Sequence, residues 1–362
     1  MTFAITYTVK NEQRLVLESL IYYRHLGCSR FYVFLDHTTD DLPDLLSGYS
    51  DVLVRSSVAP AELIDHTVWF EQIQKEAEGW LDLRKKLNTY WASLHARDCG
   101  IEWIAAIDPD ELIINDLHMD VIKPKSLASF LSKVPQDTGQ LRMVNLDNVP
   151  VGLRASHPFS GSDLFLNRPK EPIETFWRYS RSIFRLLIRN PEQWAYYQAW
   201  YDQLFFRCLL GDAFPRLVRH PLTGKELPTG YFLSYTSGKS FVRTDLLHAI
   251  RPDVHYWFPL PGEELRTVRQ GIVLHYDMID ADYFVHKFRQ RPKHSDVSTV
   301  KSLYKRWVIA RVAVDLPDEA AVAFFRQSIA IMNPIRQDYL LKKGVLRRIP
   351  AVKAFFESQS SS

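Results

Sequence analysis

This chain of 362 residues is poor in cysteine, with only Cys28, Cys99 and Cys208. Three widely spaced thiols form neither a disulfide framework nor a cysteine zinc cluster, so they read as reduced packing residues. No apolar run reaches the roughly 18 residues that a spanning helix needs. The opening residues Met1–Tyr7 lack a basic stretch before an apolar core, so no signal peptide is expected and the cytoplasm is the expected compartment. Charge of one sign is also missing: 45 basic against 42 acidic residues leaves +3, dispersed, which gives nucleic-acid binding no support. Glycine-rich phosphate loops are absent as well. Where a G-x-G-x-x-G or P-loop would follow the first strand, the chain has Thr8-Val9-Lys10-Asn11-Glu12, which excludes a dinucleotide fingerprint and a Walker site. No internal repeat is visible, and only the serine-rich end is of low complexity.

What is present is a substantial core composition, 46% hydrophobic and 13% aromatic. Phe3–Val9 reads as a strand. Leu15, Leu17, Leu20, Ile21 and Leu26 then recur at helical spacing, with Gly27 at the expected C-terminal position. Phe31–Leu35 reads as a second strand, ending in Asp36-His37-Thr38-Thr39-Asp40. Strand, helix, strand is the building unit of a parallel sheet. Asp51–Arg55 suggests a third strand, and Leu83, Leu87, Trp91 and Leu94 mark one face of a long helix closed by Gly100. The most informative stretch follows: Ile101–Ile107, apolar, running into Asp108-Pro109-Asp110-Glu111. A buried strand that delivers acids at its carboxyl end is how α/β sheets build ligand sites. Residues two apart on a strand point the same way, so Asp108 and Asp110 are expected side by side, their repulsion relieved by a divalent cation. An acidic turn or helix start accounts for the same residues without a metal.

From about residue 140 the pattern loosens into prolines and aromatics. Ser237–Arg243, Val254–Tyr256 and Ile272–Tyr276 read as short strands, and the chain from Asp280 as helical. Lys239 and Arg243 suit phosphate binding or an exposed charge pair. Trp194–Tyr201 suits sugar stacking or core packing. Leu341–Ile349 mixes bases with apolar residues, and reads either as a contact with anionic lipid or as a solvated helical tail.

On Lys10-Asn11-Glu12, Leu26-Gly27, Phe31–Asp40, Trp103–Glu111 and Leu274-His275-Tyr276, in that order, the chain resembles bacterial glycosyltransferases of the GT-A type, close to families 2 and 92. The match is good over about the first 120 residues and weaker beyond. It implies an α/β fold with a Rossmann-like, mainly parallel central sheet flanked by helices and a helical C-terminal extension. It also implies a catalytic domain over 1–278, with a nucleotide-sugar half at 1–120 and an acceptor half at about 140–278, and a helical region over 279–362. The implied activity is metal-dependent, inverting transfer of a sugar from a nucleotide-diphosphate donor, UDP-sugar favoured. The implied acceptor is a glycan or glycolipid of capsule, lipopolysaccharide or exopolysaccharide, with peripheral contact at the inner face of the cell membrane.

By the same resemblance Asp110 ligates Mn²⁺ or Mg²⁺, Asp108 meets the ribose or the metal shell, and His275 completes that shell, with His255 as competitor. Asp36 holds base or ribose, Thr8, Glu12, Arg84 and Asn88 lie near the nucleotide, and Lys239 binds phosphate. Glu174 is the preferred general base, with Asp163, Glu171, Asp202 and Asp212 open. His37 departs from the family pattern and puts donor identity in play. Two other classes fit the acidic strand end: a phosphatase of the haloacid dehalogenase type with an Asp-x-Asp nucleophile, and a silent sugar-binding module of the same fold.

Overall fold

A computed structural model describes residues 1–63, 81–115, 125–168, 171–188, 201, 204–205, 207–213, 218–219, 226–227, 237–289 and 315–359. The chain forms two compact units: residues 1–118, 124–145 and 236–275, and residues 119–123, 146–235 and 276–362. Residues 146–235 group with the C-terminal residues 276–362.

The first unit is built on an eight-stranded sheet. Its strands are β1 (Phe3–Val9), β2 (Arg30–Leu35), β3 (Val52–Ser56), β4 (Trp103–Ala106), β5 (Glu111–Ile114), β6 (Gln140–Asp147), β7 (Ser240–Arg243) and β8 (Thr267–His275), and its described α-helices are α1 (Gln13–His25), α2 (Leu42–Leu46), α3 (Leu81–Asp98) and α4 (Leu127–Leu131). The spatial order is β3-β2-β1-β4-β7-β6-β8-β5. The first four run parallel, β7 lies antiparallel between β4 and β6, and β8 pairs antiparallel with β5. This is the expected α/β fold with a mixed, largely parallel sheet flanked by helices.

Alternation explains why both faces are covered. Ala4, Tyr32, Phe34, Ile104 and Val242 share one apolar cluster with Leu83, Leu87 and Tyr90 of helix α3 (Leu81–Asp98). Residues one step along, Phe3, Ile5, Phe31, Val33, Trp103 and Phe241, are equally buried. Helix α1 (Gln13–His25) takes part on that second face, where Ser19 Oγ donates to Tyr7 Oη (3.0 Å). It ends where Gly27 enters the left-handed region at φ +90°. There the Gly27 and Cys28 amides donate to Arg24 and Tyr23 (3.0 and 2.9 Å), the paired closure that favours glycine. Its start is capped from a distance, by Asp40 accepting from the Gln13 amide (3.1 Å).

In the second unit, strand Leu164–Leu166 pairs antiparallel with Leu346–Arg348. Phe284, Phe288, Phe324 and Phe325, from helices Ala281–Arg289 and Asp318–Ser328, fill its core together with Leu164, Leu166 and Leu346. Leu341–Ile349 is therefore not a continuous helical tail: the helix Pro334–Lys342 ends, and Leu346 turns inward as a strand residue. Likewise Val254–Tyr256 precedes a short strand, Trp257–Pro259, rather than forming one. The Trp194–Trp200 aromatics and the serine end from residue 360 lie outside the described residues.

Candidate active site

Strand β4 stops at Ala106, and the Glu111 amide donates to the Asp108 carbonyl (3.0 Å), closing a turn around Pro109, which has no N–H to extend a ladder. The expectation of two carboxylates side by side is corrected by that turn. Asp108 is half-buried between lysines, whereas Asp110 is buried and lies 3.7 Å from His275 Nε2.

Asp108 Oδ1 accepts from Lys85 Nζ on α3, and Oδ2 accepts from Lys239 Nζ (3.0 Å). Burial opposes ionisation here, yet the Lys239 and Lys85 charges hold the Asp108 carboxyl well below the usual carboxylate range. Lys239 also faces Glu111 (3.3 Å), whose own carboxyl burial pushes up, with Asp108 and Asp110 adding repulsion. Lys239 is placed by its neighbour: a Cβ on Gly238 would lie 1.8 Å from the Met143 carbonyl oxygen, so only glycine allows this close approach to β6. His255, proposed as a competing metal ligand, is pushed down to about 3 by burial and by Lys239, so it stays neutral near pH 7. It is absent from the metal-capable group described below.

A second polar network lies at the carboxyl ends of β1, β2 and β3. Asn88 on α3 donates to Thr8 Oγ (2.9 Å) and Ser57 Oγ (3.2 Å) and accepts from the Val58 amide (2.8 Å). Arg84, one turn earlier, grips Asp36 through both carboxylate oxygens (2.6 and 2.9 Å), and Ser57 donates to Asp36 Oδ1 (3.2 Å). Asp36 raises the Arg84 guanidinium pKa above its ordinary value. The sequence-derived group Thr8, Asp36, Arg84 and Asn88 is thus brought together, with the Asp36 carboxylate bound to Arg84. The neighbouring loops adopt left-handed backbone at Asn11 (φ 54°) and His37 (φ 57°), uncommon outside glycine. Asn11 Oδ1 ties them by accepting from the Thr39 amide (2.7 Å). Glu12 sits at the start of α1, where its carbonyl accepts from the Val16 amide (3.0 Å).

Asp110, His275 and Asp277 present one ligand atom each within 4.8 Å of one another. Register fixes the first two: His275, last residue of β8, pairs with Glu111, first residue of β5, immediately after Asp110. Asp277 stands two residues beyond His275 along the chain and accepts from Lys287 (2.7 Å). Two carboxylates and one imidazole form a donor set that suits Mn²⁺ or Mg²⁺. Asp108, assigned to the metal by sequence, is not in this set, since both of its oxygens are taken by ammonium groups. Asp277 and Lys85 were missed. The first had a signal, an acid two residues after the histidine; the second had none, since nothing local couples it to Asp108.

Glu174 lies in the second unit on helix α5 (Glu171–Leu187), buried, with its Oε1 accepting from Arg168 (2.5 Å) and Arg178 (2.6 Å). Both guanidinium groups thus share one carboxylate oxygen in charge-assisted hydrogen bonds. Asp163 is likewise paired with Arg348 (2.7 Å).

No protein-family model matches the chain. Two Arabidopsis thaliana proteins named glycosyltransferase-like are 22% and 21% identical to it over 348 residues, each covering 92% of this chain. The chain spans 66% and 58% of their lengths. Among solved structures, glucosyl-3-phosphoglycerate synthase from Mycobacterium tuberculosis, in complex with Mn²⁺, UDP and glucosyl-3-phosphoglycerate, is 13% identical, with 87% of this chain and 81% of that chain covered at a TM-score of 0.29. A mycobacterial protein gives 14% identity, 88% and 76% coverage and a TM-score of 0.32. At these scores the fold assignment rests on the sheet itself, and what the comparisons add is a likeness, over nearly the whole chain, to proteins named glycosyltransferase-like.

Proposed function

We propose that this chain is a metal-assisted glycosyltransferase that moves a sugar from a nucleotide-diphosphate donor, UDP-sugar favoured, to a glycan or glycolipid acceptor with inversion. The observation that carries the reading is the Asp110, His275 and Asp277 donor set, whose first two members belong to the sheet unit that also gathers Thr8, Asp36, Arg84 and Asn88 at strand ends. The likeness to glycosyltransferase-like relatives supports it.

In this reading Asp110, His275 and Asp277 hold Mn²⁺ or Mg²⁺, which when bound neutralises negative charge on the departing diphosphate as a Lewis acid. The chain's own residues do the rest. Asp108 holds the ammonium groups of Lys85 and Lys239 at one place, and Lys85, the more exposed of the two, offers its ammonium to a phosphate oxygen. Asp36 holds the Arg84 guanidinium in place at the strand ends, so that little side-chain entropy is lost when a donor binds there. Asn88 ties Thr8, Ser57 and the Val58 amide together, which fixes the carboxyl ends of β1 and β3 relative to each other.

The test is a donor panel (UDP-, GDP- and CDP-sugars, with Mn²⁺ or with EDTA) followed by release of nucleoside diphosphate. Metal-dependent release from one donor class supports the reading, and ¹H NMR of the product's anomeric proton reads the stereochemical course. No release and no nucleotide binding under any condition overturns it.

A further inference from the structure

One donor of the metal-capable set is already engaged. Lys287 Nζ donates to Asp277 Oδ1 (2.7 Å) and to the Asp277 carbonyl (3.4 Å), so a single ammonium grips both the side chain and the backbone of that residue. The Tyr283 ring makes a third contact, its centroid 5.3 Å from Nζ, and both side chains of the ion pair are only 13% exposed.

The helix Ala281–Arg289 delivers Lys287 from a fixed base. Asp280 Oδ1 accepts from the Tyr283 amide (2.8 Å) and Oδ2 from the Ala155 amide (3.1 Å), which ties the helix start at two points. Phe284 and Phe288 on the same helix are fully buried. Tyr283 and Lys287, four residues apart, share one helix face, so ring and ammonium meet without distortion. Drawing an ammonium out of water is costly, and an ion pair so placed returns little to stability against apolar side chains of the same volume. Folding alone therefore does not require Lys287.

Its consequence is electrostatic. A carboxylate that already carries an ammonium on one oxygen is a weaker ligand for a dication, because its charge is partly answered and the two cations repel. Hard cations held by only one or two carboxylates fill the remaining positions with water or with phosphate oxygens. Partners behind a ligand tune a metal site in this way without touching the metal.

We propose that Lys287, a positioning residue that acts through Asp277, holds down the affinity of the Asp110, His275 and Asp277 set for a divalent cation, so that the cation is retained where a diphosphate supplies further oxygen ligands. The proposal rests on the metal reading given above.

The test is Mn²⁺ binding by the full chain without nucleotide, followed by electron paramagnetic resonance, with a melting temperature for each protein. K287Q removes the charge and keeps a hydrogen-bond donor for Asp277, whereas K287M removes both. Each should bind Mn²⁺ about tenfold more tightly than wild type, since a unit charge at close range to a dication is worth at least that. K287R, which keeps the charge, should bind as wild type, and so should K133M, which removes an exposed lysine elsewhere. Affinity in K287Q and K287M equal to or below wild type overturns the proposal. So does a lowered melting temperature at unchanged affinity, the mark of a purely structural pair. No Mn²⁺ bound by wild type or by either variant, with UDP as well as without, overturns the metal reading itself and this proposal with it.

Discussion

The sheet unit and helix α5 use the same side-chain types in opposite ways. On the sheet, Leu83, Leu87, Ile104 and Val242 are covered while carboxylates and ammonium groups are drawn inward at the strand ends, as at Asp110, Glu111 and Lys239. On α5, Leu186 and Leu187 stand in solvent while the arginines lie outside with them. Buried charge is costly unless paired, and exposed apolar surface is costly unless later covered, so each region carries a feature that folding alone does not require. The first points to chemistry; among the described residues nothing covers the second.

The sharpest way to break this contrast is to remove a leucine from each region. Leu87→Ala should cost about 2–5 kcal/mol in urea unfolding, because the fully buried site leaves a cavity. Leu186→Ser should change stability by no more than about 0.5 kcal/mol. Equal losses would mean that α5 is packed like the sheet. Next in size is His275→Ala. Outer partners of metal ligands already cost about 10–100-fold in affinity, so loss of a direct ligand should weaken Mn²⁺ binding, followed by electron paramagnetic resonance, by at least that much. Retained affinity removes His275 from the set. Lys85→Met should follow with about a tenfold loss of pyrophosphate affinity measured in EDTA, the worth of one charge-assisted contact. Affinity equal to wild type would confine Lys85 to holding Asp108.

The smallest effect concerns pH. The His255 imidazole is held neutral in the fold, its pKa down at about 3, but in the unfolded chain it takes up a proton near its ordinary value of about 6.5. Below that value the unfolded state binds more protons, so stability falls as pH drops from about 6.5 toward 3. Asp108, whose folded pKa is depressed, removes stability only lower, as pH falls below the ordinary carboxylate value. His255→Asn should therefore flatten the melting-temperature profile between pH 6.5 and 4 and leave the more acidic limb. An unchanged slope there would show that His255 is not the group responsible.

Much of the sheet unit was legible because burial on strands and helices is written locally. The two-residue alternation of Phe3–Val9 and Phe31–Leu35, the leucine spacing on α1 and α3, and Gly27 as a helix end each need only near neighbours in sequence. The acidic turn and the strand ending at His275 were visible for the same reason. What was not legible depends on distant pairing. Lys85 and Lys239 reach Asp108 from 23 and 131 residues away, and no local pattern announces that one acid of the turn is neutralised while the other faces a histidine. Strand Leu346–Arg348 was read as helix because its partner, Leu164–Leu166, lies far upstream. Glu174 was preferred by resemblance alone, whereas its pairing with Arg178, four residues on along the same helix, is one that spacing announces.

The central claim is that Asp110, His275 and Asp277 bind a divalent cation that a nucleotide diphosphate shares. Calorimetry of UDP with wild type and Asp110→Ala, each in Mn²⁺ and in EDTA, tests it most directly. The account predicts that Mn²⁺ tightens UDP binding by wild type and that Asp110→Ala loses this enhancement while keeping its melting temperature. Equal enhancement by Mn²⁺ in both proteins would contradict it.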